Sequence, residues 1–221
     1  VGANLAGVDL IMATLTEANL AGANLEGADL YKANLTKANL AGANLEEAIL
    51  FEANLAGANL AGVDLQGVNL EGVNLIAADL ARANLAGQNL AGANLERANL
   101  EGANLAGIDL EGATLAGVNL AEANLEGANL AGAVFYRRTS GFDNHSTTDF
   151  TGANLYMADL EGANLERANL DYADLEGANL AGSNLEGANL AGSNLEGANL
   201  AGAKANKKSD TYEMYDLFSP R

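Results

Sequence analysis

The sequence predicts an all-β solenoid, and three observations carry that prediction. A five-residue phrase, Ala-Asn/Asp-Leu-x-Gly, recurs along the chain; leucine holds every fifth position from Leu5 to Leu130 and again from Leu155 to Leu200; and glycine recurs at the place two residues after many of those leucines. A period of five is not helical: five residues turn an α-helix by about 500°, so successive leucines would step around the axis and share no face. It is not an unbroken strand either, because side chains alternate and an odd period would send neighbouring leucines to opposite sides. A short extended piece interrupted by a corner in every repeat satisfies the period. Ala and Leu then point inward, Asn or Asp between them points outward, and Leu-x-Gly-Ala forms a four-residue turn.

The corners follow from turn chemistry. A type II turn needs positive φ at its third residue, which glycine supplies at Gly22, Gly27, Gly42, Gly57 and Gly62 without steric cost. Glu17, Lys32, Lys37, Glu47, Glu52, Arg82, Arg97, Glu122 and Arg167 hold the same place with a side chain that resists positive φ, so their corners are expected to be type I.

The inner first position carries Val8, Val63, Val68, Val73, Ile108 and Val118 where most repeats have Ala, all apolar as an enclosed position requires. Gln88 is the polar exception and is expected to find a local hydrogen-bond partner, since an unpaired buried amide costs roughly 1–3 kcal/mol. At the outward second position Thr14, Ile49, Thr114 and Val134 replace Asn or Asp. Ile11, Tyr31 and Phe51 follow the central leucine at intervals of twenty residues. They are expected to stack in one external column, with Met12 and Ile49 adjoining, and to offer an interaction surface.

In this leucine-rich Ala-Asn-Leu-x-Gly wording the chain resembles the pentapeptide-repeat proteins, and is most similar to their cyanobacterial members. The resemblance covers residues 1–135 and 150–203 and implies a right-handed quadrilateral β-helix of twenty residues per coil. Periodicity alone leaves three or four sides open; the twenty-residue spacing of Ile11, Tyr31 and Phe51 favours four.

Phe135, Ser140, His145 and Phe150 break the leucine register and bracket residues 136–149, expected to be an inserted loop. The loop holds the single histidine of the chain, and Arg137, Arg138, Phe142 and His145 are its candidate recognition residues. Residues 204–221 are expected to close the solenoid as a short helix: Ser209 or Asp210 can cap it, and Met214, Leu217 and Phe218 follow helical spacing. The domain plan is therefore a β-helix over 1–203, interrupted by loop 136–149, and a cap over 204–221. With no capping segment before Val1, either truncation of the chain or end-to-end association is expected, with lateral self-association the other form of pairing.

The chemistry-bearing residues point away from catalysis. The sequence has no cysteine and one histidine, which leaves no thiolate or histidine-cluster metal site, and the recurring Asp and Glu follow from the repeat rather than from a paired-carboxylate centre. No phosphate-cradling loop precedes a helix. No cofactor is expected, and neither is membrane insertion, because the leucines never run together. The start at Val1 carries no signal-peptide pattern and lacks the initiator methionine. The cytoplasm is the first expectation for compartment, with the periplasm or thylakoid lumen the alternative had a targeting segment been removed.

Charge gives the remaining constraint. The formal net charge is −18. Spread over a rod of about 45 Å, at about 4.8 Å per coil, it approaches the one charge per ≈ 1.7 Å of duplex DNA and disfavours direct nucleic-acid binding. Two functions follow as expectations. The first is a non-catalytic structural or protein-interaction scaffold with an unidentified protein partner. The alternative comes from the resemblance: some members of the family mimic DNA, bind DNA gyrase and confer quinolone resistance.

Overall fold

The computed structural model describes residues 2–135 and 147–205. Successive turns of chain lie parallel and in register at a separation of twenty residues: Asn4 pairs with Asn24, Asn24 with Asn44, Asp29 with Ile49, and so on to Asn184 with Lys204. Each coil therefore contains four repeats and four corners. The expected quadrilateral is what forms.

The five N–H groups of one repeat show why the period is five. Ala23 N–H closes the corner on Leu20 O at 2.9 Å; Asn24 N–H donates to Ala3 O in the coil below, and Leu25 N–H to Asn44 O in the coil above, each at 2.8 Å. Glu26 N–H is taken by the side-chain Oδ1 of Asn24 at 3.2 Å. Gly27 N–H donates to Glu46 O above at 2.8 Å. Every main-chain donor is thus satisfied, three of them between coils, and this accounting is a condition for enclosing backbone at all. The outward Asn or Asp does more than face solvent. Its Oδ1 locks the following corner, as in Tyr31 N–H to Asp29 at 3.0 Å and Ala41 N–H to Asn39 at 3.1 Å.

The leucines form the enclosed core. Leu25 through Leu65 at every fifth residue, and likewise Leu100 through Leu130, are 0–1% exposed, with the inner alanines beside them. Burying one leucine contributes about 1.5–3 kcal/mol. Because each coil packs only on its neighbours, the stability accumulates coil by coil.

The corner expectation requires a correction. Glu17, Lys32, Lys37, Glu47, Glu52, Arg82, Arg97, Glu122 and Arg167 all have positive φ, between 54° and 61°, as do Met12, Ala77, Met157 and Tyr172. Their corners are type II like those of the glycines. The reason is the ladder between coils. Types I and II differ by a flip of the peptide joining the two central residues. In the Tyr31–Lys32 peptide, the carbonyl accepts from Met12 N–H at 2.8 Å and the N–H donates to Phe51 O at 3.0 Å. Flipping it would break both bonds and strand their partners in two coils. A left-handed residue costs roughly 1–2 kcal/mol; two hydrogen bonds contribute about 0.5–1.5 kcal/mol each, and groups left unpaired add more. The ladder wins over local preference.

Side chains at these corners are directed toward the next coil, which often provides a glycine there. A Cβ at Gly72 would fall 3.0 Å from Glu52 Cγ, at Gly187 3.2 Å from Arg167 Cγ, and at Gly192 2.7 Å from the Tyr172 ring. Where two charged side chains stack, they carry opposite charges: Lys32 Nζ is 3.2 Å from Glu52 and Lys37 Nζ 3.9 Å from Glu17.

The insertion is shorter at its end than the sequence suggests. Across it the pairing offset becomes thirty, as in Asn119 with Asp149 and Val134 with Asn164, so the inserted length is ten residues. Thr148 already occupies the inner first position and Asp149 pairs with Asn119, so both belong to the coil rather than to a loop over 136–149. The cause is the hydroxyl of Thr148, which lies 2.8 Å from both Phe135 O and Leu115 O and shares its proton between the two carbonyls, Leu115 O also accepting the corner N–H of Val118 at 3.2 Å. Phe135 and Phe150, both buried, fill the adjoining core edge to face at 5.0 Å. At the far end Lys204 also belongs to the β-helix, donating its N–H to Ser183 O at 2.8 Å, so the repeat runs one residue beyond the expected boundary at 203.

Candidate functional site

Three features of the surface and walls depart from the lattice. The first is the N-terminal column that the sequence singles out. Tyr31 and Phe51 stack on the outside with ring centroids 5.6 Å apart and planes at 9°. Ile11 stands one coil earlier in the same column, 45% exposed, and Ile49, 42% exposed, lies two residues before Phe51. The hydrogen bond from Met12 N–H to Tyr31 O holds the first two coils in register. Lys32 closes one flank: its Nζ is 5.0 Å from the Tyr31 ring centroid and paired with Glu52. Tyr31, and then Glu52, raise the Lys32 pKa above the ordinary lysine value. The cation over the ring therefore keeps its charge through the pH range in which an ordinary lysine begins to lose it.

The second feature was not singled out by sequence. Tyr156, Met157 and Tyr172 are exposed on later coils, Tyr172 to 71%. The signal was available, since Met157 and Tyr172 take the corner position where repeats usually have glycine. The candidate loop residues Arg137, Arg138, Phe142 and His145 lie outside the described residues. So does the expected cap beyond residue 205.

The third feature is an opening in the ladder on one side of the coil that carries Val63, Val68 and Val73. Toward the preceding coil, Gly42, Leu45, Glu47 and Asp64 make no inter-coil hydrogen bond through their N–H groups, and the pairing of Asn44 with Asp64 is missing. Toward the following coil the same holds for Gly67, Leu70, Gly72, Leu75, Asn89 and Asn94, and the pairings of Asn69 with Asn89 and of Asn74 with Asn94 are missing. This second gap is a cleft of about 740 Å³ between residues 68–76 and 88–94. The other side of the same coils stays closed, with Leu55 N–H to Asn74 O at 2.9 Å and Leu80 N–H to Asn99 O at 2.7 Å. Gln88 borders the cleft and is satisfied as expected, its Nε2 donating to Leu65 O at 2.6 Å.

Bulk at the narrow inner position explains the opening. Valine adds two methyl groups where the lattice has alanine, and here three successive inner positions of one coil are valine. Isolated replacements are tolerated. Beside Ile108, Asp109 N–H reaches Gln88 O at 2.9 Å and Leu110 N–H reaches Asn129 O at 2.7 Å; beside Val118, Asn119 N–H reaches Ala98 O at 3.1 Å.

Elsewhere the outer faces are regular. Asn side-chain amides donate down their columns to the residue twenty positions earlier, as in Asn84 to Asp64, Asn99 to Asp79 and Asn129 to Asp109, each at 3.0 Å. Among the described residues, no group of three or more His, Asp or Glu side chains is arranged to hold a metal ion, and no helix is long and apolar enough to cross a membrane.

The pentapeptide-repeat pattern matches residues 1–36, 38–76, 78–117, 115–137, 146–167 and 168–204, in eight copies. Among solved structures the chain is similar to HetL, a pentapeptide repeat protein involved in heterocyst differentiation regulation from the cyanobacterium Nostoc sp. strain PCC 7120. The identity is 36%, over 94% of this chain and 86% of HetL, with a TM-score of 0.58. It is also similar to Rfr23, a pentapeptide repeat protein from the cyanobacterium Cyanothece 51142, at 29% identity over 72% of this chain and 88% of that one, TM-score 0.26. Trypsin-treated QnrB1, a plasmid-mediated fluoroquinolone resistance protein, matches at 18% identity over 98% of both chains, TM-score 0.40. A comparison with curated protein sequences gives no match. The repeat pattern, the four-cornered coil and the likeness to HetL place this chain in the pentapeptide-repeat family, as a right-handed quadrilateral β-helix.

Proposed function

We propose that this protein is a non-catalytic scaffold that docks a protein partner on the external column formed by Ile11, Tyr31 and Phe51, with Ile49 at its edge. The observation that supports this reading is the outward stacking of Tyr31 on Phe51, flanked by the exposed Ile11 and Ile49, in a chain of net charge −18. A cluster of exposed apolar side chains on an otherwise polar rod marks an interaction surface. Two stacked rings offer a rigid, flat contact with little side-chain entropy left to lose, and aromatic anchors of this kind dominate interface energetics. The flanking Lys32 supplies a fixed cation for an acidic or carbonyl-bearing partner group.

The competing account is that cross-coil stacking only stabilises the first coils, at about 0.2–1 kcal/mol per pair. Replacing Tyr31 and Phe51 together by Thr keeps β-propensity while removing the aromatic area. Affinity capture from the source cell, read with thermal unfolding of the same variant, separates the two accounts. The scaffold reading expects loss of a specific captured protein with stability nearly unchanged; retained capture with lowered stability would overturn it. A gyrase supercoiling assay is the companion measurement: inhibition that survives the double substitution would assign the activity to the overall charge instead of to this column.

A further inference from the structure

We propose that the open seam between residues 67–75 and 86–94 is a binding site for an extended peptide segment, which enters the ladder as an added strand. The seam lies one coil beyond Phe51 on the same corner of the rod, between Glu71 and Ala91, but the inference rests on main-chain groups and does not depend on the aromatic rings.

Hydrogen-bonding chemistry identifies the occupant. In every intact corner of this solenoid, three N–H groups per repeat donate to the adjacent coil. In the seam the N–H groups of Gly67, Leu70, Gly72, Leu75, Asn89 and Asn94 do not, and the carbonyls they would have reached across the gap are left without them. Both walls thus present main-chain donors and acceptors at strand spacing, as two sheet edges facing each other. A sheet edge is the template for strand addition, in which the ligand's backbone supplies the affinity. The floor is apolar: Leu70, Val73 and Leu90 lie at its base, each less than 5% exposed. The cleft of about 740 Å³ is a space that a side chain or a few waters would leave largely unfilled. An extended backbone with small or leucine side chains matches both the polar walls and the apolar floor. The repeat wording of this chain has that composition.

The opening is also built in by identifiable residues. Val63, Val68 and Val73 fill successive inner positions that are alanine in the coil before, at Ala43, Ala48 and Ala53, and Gln88 follows Val68 in its column. The intact ladder beside the isolated Ile108 and Val118 is the internal control. Converting Val63, Val68, Val73 and Gln88 to Ala should close the seam.

The test uses the full chain and the synthetic peptide Ala-Asn-Leu-Ala-Gly-Ala-Asn-Leu, which copies residues 53–60, with amide hydrogen exchange as the readout. In the free protein, the amides of Leu70, Gly72, Leu75, Asn89 and Asn94 should exchange at least tenfold faster than their equivalents Leu110, Gly112, Leu115, Asn129 and Val134 in intact coils. Adding the peptide at millimolar concentration should slow these amides selectively. A peptide N-methylated at every residue, which keeps the side chains and loses the donors on both edges, should not protect them. Neither peptide should change exchange there in the four-alanine variant, whose seam amides should already be slow. Protection confined to coils at the ends of the described rod, equal protection by the N-methylated peptide, or no protection at all would each overturn the proposal. A separate measurement of the Val68→Ala, Gln88→Ala double variant guards against misfolding of the four-alanine chain. It should show an intermediate exchange rate and weakened protection, and unaltered protection would count against the seam.

Discussion

Ala77→Gly is the sharpest test of the corner geometry, because it changes one methyl group and the two candidate conformations predict opposite signs. Ala77 is exposed at the third position of its corner with φ of 55°, and its N–H donates to Glu96 O at 2.9 Å. Glycine removes the left-handed penalty of roughly 1–2 kcal/mol. It also enlarges the conformational freedom of the unfolded chain, a loss of roughly 0.4–1 kcal/mol. The side chain loses no enclosed contact, so the net expectation is a stabilisation of about 0.5–1 kcal/mol. For a domain of this size 1 kcal/mol corresponds to about 2–4 °C in melting temperature, so the variant should melt about 1–4 °C higher. The neighbouring Ala78→Gly is the matched control. Ala78 is 1% exposed and its φ is not positive, so the same substitution removes a buried methyl and should lower stability by about 1 kcal/mol or more. Thermal unfolding followed by circular dichroism at low protein concentration measures both. Destabilisation by Ala77→Gly comparable to that by Ala78→Gly would refute the argument that the inter-coil ladder imposes positive φ on side-chain-bearing corners.

Two further substitutions probe the core and the point where the insertion leaves it. Leu105 is fully enclosed mid-ladder, so Leu105→Asp places a carboxylate where no partner exists; loss of cooperative unfolding or a split into separately melting parts is expected, and an unchanged melting curve would show that the leucines do not seal the interior. Thr148→Val keeps the shape of the inner position and removes the hydroxyl that serves Phe135 O and Leu115 O, so stability should fall by about 1–3 kcal/mol, whereas the same change at the solvent-facing Thr114 should be nearly silent in chemical denaturation.

Much of this architecture is legible in the sequence because a repeat multiplies a weak local signal. One Leu-x-Gly-Ala is an ordinary turn, but a leucine at every fifth position over most of the chain excludes helix and plain strand together. The outward column of Ile11, Tyr31 and Phe51 could be placed from its twenty-residue spacing alone. Met157 and Tyr172 could have been found by asking which corners carry a large side chain in place of glycine.

What the sequence by itself determined is the unit and its inside: an extended piece and a corner, leucine and alanine enclosed, Asn and Asp outward. Only the tertiary structure decided the conformation of the corners that lack glycine. Local preference at Lys32, Arg82 or Arg97 favours negative φ, but the peptide before each of them is hydrogen-bonded to coils on both sides, and those bonds exist only once the coils have stacked. The same holds for the seam. Val63, Val68 and Val73 each read as a conservative apolar replacement, and so do Ile108 and Val118, whose neighbours keep their ladder. What separates them is the sum of bulk along one coil, set against the spacing that main-chain hydrogen bonds require of its neighbours.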